Sequence, residues 1–180
     1  MIRATAFAVG ILVLSLSAHA AAAKEDLGAK VLAFAEKHKG EQVGNGECAT
    51  LAGEALKDAG AKRRGKDEPN SGDYTWGEHF LTVTAEGSGQ KFDGKKTDIH
   101  PGDIIQFRDT KFAGKSAKGH YTQSAAHHTA IVLAIEDGGS TVRVLHQNFG
   151  GKKIVQETTL HLGDLKEGWL RFYHPTAAAK

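Results

Sequence analysis

Cysteine is almost absent from this chain: Cys48 is the only one in 180 residues. A lone thiol forms no internal disulfide, so no covalent bridge helps to hold the fold. Net charge is scarce too, with 23 Lys and Arg against 21 Asp and Glu, for a formal +2. A balance so near zero lacks the broad basic surface that binds nucleic acid, and no nucleic-acid partner is expected. After Leu16 there is no second long apolar run, so no further membrane-spanning segment is expected. The ten histidines include neither an H-E-x-x-H nor an H-x-H pair. No metal and no cofactor are expected. Internal repeats and dividing linkers are also missing, which points to one domain and a monomer.

What is present begins with Met1-Ile2-Arg3, a short positive segment, followed by the uncharged apolar run Ala4 to Leu16. Ala18-His19-Ala20 then gives the small-x-small pattern of a signal-peptidase site, and Ala21-Ala22-Ala23 offers a second. Residues 1–23 therefore read as a secretory signal peptide, cleaved after Ala20 or Ala23. The run is too short to span a bilayer, which takes about 20 apolar residues. The expected location is periplasmic or extracellular, and residues 24–180 form the expected mature domain. A free thiol exported to an oxidising compartment is a liability. Cys48 is then either a buried, inert small hydrophobe or a residue kept for its reactivity.

Hydrophobic spacing predicts a helix over 27–38 and another over 48–59, the second ended by Gly60. Residues 61–75 read as a polar loop, and 86–98 as a Gly- and Lys-rich loop. Pro101-Gly102-Asp103 signals a turn before a strand at 104–107. A long loop over 109–126 precedes strands at 128–135 and 141–148, joined by Asp137-Gly138-Gly139. Further strands are expected at 153–158 and 169–173. Helices first and antiparallel strands after make an α+β domain.

Cys48 stands at the first turn of its helix. The free N–H groups and positive dipole end found there stabilise a thiolate, the nucleophilic form. His127 and His128 are the candidate bases. Neighbours on a strand point to opposite faces, so only one of them can serve. His128 shares a face with Ala130, Val132 and Ala134; His127 shares one with Thr129, Ile131 and Leu133. The same alternation puts His146 and Asn148 with Val142 and Val144 on the apolar face of the next strand. They are the candidates to orient an imidazole, while Gln147 falls on the polar face. Tyr74 and Trp76, aromatics near a loop, are candidate substrate-binding residues.

This order of residues resembles papain-like cysteine peptidases, most of all the bacterial CHAP amidases and NlpC-type peptidases. The resemblance rests on Gly46-Glu47-Cys48-Ala49-Thr50-Leu51-Ala52, Pro101-Gly102-Asp103-Ile104-Ile105-Gln106-Phe107, His128-Thr129-Ala130-Ile131-Val132 and His146-Gln147-Asn148. It favours His128 over His127 as the base. It also implies that His146 orients His128 with Asn148 in support, since CHAP domains carry Glu-x-Asn there and NlpC-type domains often carry His. Gln42, six residues before Cys48, takes the place of the oxyanion-hole Gln of papain-like enzymes. The implied fold has N-terminal helices packed on a small antiparallel β-sheet.

The expected function is then a secreted cysteine hydrolase that cleaves amide bonds in peptidoglycan or a peptide through an acyl-enzyme. One alternative is a catalytically inactive binding or inhibitor domain on the same fold. Another is a zinc-dependent hydrolase that draws on His100, Asp103, His120, His127, His128 and His146.

Overall fold

The computed structural model describes residues 26–66, 73–116 and 119–178. The segment read as a signal peptide lies outside them. Helix α1 spans Leu27–Lys37, and Asp26 caps it by accepting the Ala29 N–H at 3.0 Å. Helix α2 spans Cys48–Asp58. Val31 and Ala35 of α1 and Leu51, Ala52, Ala55 and Leu56 of α2 are buried, at the helical spacing seen in the sequence. Gly60, at φ 69°, takes the left-handed position just beyond α2 that a Cβ would disfavour.

The strands are β1 (Gly65–Lys66), β2 (Tyr74–Thr75), β3 (Glu78–Glu86), β4 (Gly89–Asp93), β5 (Ile104–Ser116), β6 (Gly119–Glu136), β7 (Thr141–His146), β8 (Gln156–His161) and β9 (Leu165–His174). β1 and β2 pair with each other alone, and the other seven form one sheet in the order β4-β3-β9-β5-β6-β7-β8. Every pairing is antiparallel. The α+β expectation holds, but the sheet is not small: it dominates the molecule, with two helices on part of it.

Strands β1 and β2, in the loop expected at 61–75, β4, in the loop expected at 86–98, and two longer stretches were not foreseen. Residues 109–126, expected as a loop, form the outer halves of β5 and β6, paired from Thr110↔Ala125 to Ser116↔Gly119. This arm lies largely outside the core, as β6 alternates between half-buried and exposed from Gly119 to Ala125. With little apolar surface to bury, its residues carry no strong hydrophobic period, and cross-strand backbone hydrogen bonds hold it. β3 is also missing from the sequence expectation, although Leu81 and Val83 alternate with Thr82 and Thr84 as a half-buried strand should.

Apolar side chains cover both faces of the sheet. One core joins α1 and α2 to Trp76, Ile104, Ile131, Leu145 and Tyr173. The other joins Leu81, Val83, Ile105, Phe107, Ala130, Val132, Val142, Val144 and Phe172. Register explains the division. Ile131 lies opposite Ile104 and Leu145, while Ala130 lies opposite Ile105, and Val132 opposite Val144. The helices therefore cover the face of Thr129, Ile131 and Leu145, and leave His128, Ala130 and Val132 on the other.

Candidate functional site

Cys48 opens α2 after the loop that contains Gly44 and Gly46, at φ 55° and 80°. Its thiol is partly buried and takes hydrogen bonds from the backbone of Thr129 and Ala49 and from the Thr129 side chain. Burial nevertheless pushes the thiol above its ordinary value, and the nearby Glu47 carboxylate adds to the rise. The helix terminus does not offset this, so the thiolate is scarce near neutral pH.

His128 lies across from Phe107, its ring 5.4 Å from that of Phe107 and 5.4 Å from that of Phe149. His128 Nε2 meets His146 Nδ1 at 2.8 Å. His146 Nε2 in turn meets Thr158 Oγ1 at 3.2 Å, and its ring stacks on Phe149 at 4.6 Å. Both rings are buried, at 4% and 1% exposure. Burial, and then the second imidazole, hold His128 down to about 3. Burial alone holds His146 down to about 4. Two neutral rings satisfy this chain of contacts whichever way the protons run, from His128 toward Thr158 or back. The structure thus brings His128 and His146 together, as expected from the sequence. Among the described residues, no hydrogen bond joins either ring to Cys48.

The remaining site candidates go elsewhere. Asn148 does not support His128: it takes a left-handed turn at φ 56°, and its amide donates to Glu47 Oε2 at 2.7 Å. Lys153 joins the same carboxylate at 3.0 Å. The Lys153 ammonium, then the Asn148 amide, hold the Glu47 carboxyl below its ordinary value. Gln42 is exposed, and its side chain donates back to Gly44 O at 3.1 Å, so it presents no donor beside the thiol. Trp76 is a core residue at 0% exposure, its Nε1 donating to Gln106 Oε1 at 3.0 Å. Tyr74 is half-buried against the helix-side core, beneath the Arg64 guanidinium. Neither aromatic forms an open cleft wall.

The residues that do flank Cys48 were passed over. Gln147, expected on a polar face, is fully buried on the helix side. Its side chain accepts from Val43 N at 3.1 Å and donates to Val43 O at 3.0 Å and Glu47 O at 2.8 Å. One amide thus fixes the loop that delivers Cys48. Gln106 accepts from Trp76 and from Thr129 Oγ1, at 3.3 Å. His127, the rival base, shares the helix-side face with Thr129. It meets the Arg108 guanidinium at 2.6 Å and lies 3.5 Å from the buried Asp73. The signal was available in the sequence: Gln147 alternates with Leu145, and Gln106 with Ile104, but a polar side chain at a core position reads as a surface one.

The sequence matches the family described as "AIM3/BBC1 Cysteine proteinase-fold domain" over residues 17–179. It is 31% identical over 154 residues to "Altered inheritance of mitochondria protein 3" of the yeast Debaryomyces hansenii. That alignment covers 84% of this chain and 16% of the relative, so the chain spans about a sixth of the yeast protein's length. Two crystal structures of Ly7917, one "with the hydrolyzing product of MDP", align over 82% of this chain and 62% of theirs. They do so at 19% identity and a TM-score of 0.48. The expected periplasmic or extracellular location is overturned by the yeast relative, which is named for the inheritance of mitochondria and is not an exported bacterial protein. Among the described residues, no helix is long and apolar enough to cross a membrane.

Proposed function

Because the chain belongs to the AIM3/BBC1 cysteine proteinase-fold domain family, we propose that it is a non-catalytic member of that fold, acting by binding a partner rather than by cleaving one. The peptidoglycan hydrolase expected from the CHAP and NlpC resemblance has no support in a yeast relative named for mitochondrial inheritance. One observation carries the binding reading. The thiol of Cys48 is held by Thr129 on the helix side of the sheet, whereas His128 points to the other side, into a contact with His146.

Chemistry points the same way. An acyl-enzyme mechanism needs an imidazole that takes the thiol proton and later returns it to the leaving amine. His128 is held near 3, while the thiol lies above its ordinary value of 9.0. Proton transfer from a thiol that burial pushes up to an imidazole that burial pushes down leaves almost no ion pair to attack an amide. The fold keeps the nucleophile's place but turns His128 away from it, and His127, on the helix-side face, is engaged by Arg108 and Asp73.

Alkylation of Cys48 by iodoacetamide, followed against pH in the full chain and in His128→Ala, tests this. The expected rate is slow at neutral pH, rises only above the free-thiol pKa of about 8.5, and changes less than about twofold in the variant. Rapid alkylation at pH 6–7 that is lost in His128→Ala would restore the hydrolase reading.

A further inference from the structure

His100, Asp103 and His174 form a second cluster, in the corner where the turn before β5 meets the end of β9. Each offers one ligand atom, and these atoms lie within 4.8 Å of one another. Only the first two are near in sequence, in His100-Pro101-Gly102-Asp103. β9 brings in His174 from 71 residues away, as the residue after Tyr173, which lies opposite Ile104.

Two of the three groups are fixed in place. Asp103 is 2% exposed, and its Oδ2 accepts the His100 backbone N–H at 2.7 Å. Its Oδ1 meets His174 Nδ1 at 2.7 Å. The His174 ring is held by stacking flat on Phe80, with 3.9 Å between centroids and 5° between planes. His100 is the exposed member, with its ring centroid 5.5 Å from that of His174. A buried carboxylate next to two imidazoles, opening toward solvent on the His100 side, is a donor set for a metal ion of borderline softness.

We propose that His100, Asp103 and His174 bind one divalent transition-metal ion of the zinc class, with the fourth position left to water. Zinc with bonds of about 2.0–2.2 Å sets its tetrahedral donors roughly 3.4 Å apart. Asp103 and His174 are already in contact, so contraction from 4.8 Å falls on the exposed His100 ring. The two-histidine, one-carboxylate set disfavours calcium and magnesium, which take all-oxygen cages. Bound metal would clamp the start of β5 to the end of β9. Asp103 lies three residues before Gln106, the partner of Thr129, or about 10 Å along the strand. The metal site is thus separate from Cys48 and does not rest on the binding reading above.

Zinc binding to the full chain, measured by competition with a chromophoric chelator, tests the proposal. The visible absorption of the cobalt-loaded protein reports the geometry. One zinc per chain and a tetrahedral cobalt band are expected, together with a higher unfolding temperature. His174→Ala and His100→Ala should each weaken zinc by about tenfold or more and abolish the band. His100→Ala alters only an exposed side chain, so it keeps the test valid should His174→Ala fail to fold. His120→Ala and Cys48→Ala should leave binding intact. Absence of zinc binding at micromolar free metal would overturn the proposal. So would binding that survives both His100→Ala and His174→Ala, or that depends on His120 or Cys48.

Discussion

The two faces of the central sheet handle buried polar groups in different ways. On the helix side the buried polar groups are neutral: Gln106 joins Thr129 to the Trp76 indole, and Gln147 binds the loop before Cys48 and the residue that starts α2. On the other side, His128 and His146 are titratable rings kept neutral by burial among Phe107 and Phe149. In a working cysteine hydrolase the thiol and its imidazole face each other. Here the sheet lies between Cys48, held by Thr129, and His128, which meets His146.

Three measurements break or sharpen this contrast. The largest effect is expected from Trp76→Ala. A fully buried indole hydrogen-bonded to Gln106 makes this a core deletion that costs about 3–5 kcal/mol in urea unfolding. A loss below about 1 kcal/mol would show Trp76 to be a surface residue free to bind ligands, as the sequence suggested.

Next in size is Gln147→Ala, which strands Val43 N in the interior and takes one of two partners from the Val43 carbonyl, which keeps Gly46 N–H, and one from the Glu47 carbonyl, which keeps Thr50 N–H. A cost of about 2 kcal/mol is expected, since a buried N–H left without a partner carries a desolvation penalty. Hydrogen exchange should rise in the 43–47 loop before it rises elsewhere. Unchanged stability and exchange would mean that α2 places Cys48 without this clamp.

The third effect concerns pH. Both histidines ionise near 6.5 in the unfolded chain but only near 3 to 4 in the folded one. Between those values the unfolded state binds more protons, so stability rises with pH in that window and is lost as pH falls below 6.5. A loss of about 2 kcal/mol per histidine is expected from pH 7 to pH 5. It should shrink in His146→Gln, where one titrating ring is gone. A pH-independent unfolding midpoint over that range would mean that the rings are solvated.

Much of the molecule was legible in sequence where a strong period exists. α1 and α2 fall within a residue of their expected bounds, because Val31, Ala35, Leu51, Ala55 and Leu56 recur at helical spacing. The β6–β7 turn at Asp137-Gly138-Gly139 was readable because its positive φ angles suit those residue types. The arm of β5 and β6 was not, because its residues pair by backbone hydrogen bonds while their side chains stay near solvent. The cluster of His100, Asp103 and His174 was equally hidden, since no local pattern links residues 71 positions apart.

For the candidate site, the sequence by itself determined which residues share a face. Period-two alternation put His128 with His146, and Thr129 with Ile131, as the structure has them. Only the tertiary structure decided which of those faces meets α2. Both faces of this sheet bury apolar side chains, so hydrophobic pattern cannot tell the face beneath a helix from the face turned away from it. That choice is made by the packing of the whole chain, and it placed Cys48 beside Thr129 and left His128 on the far side.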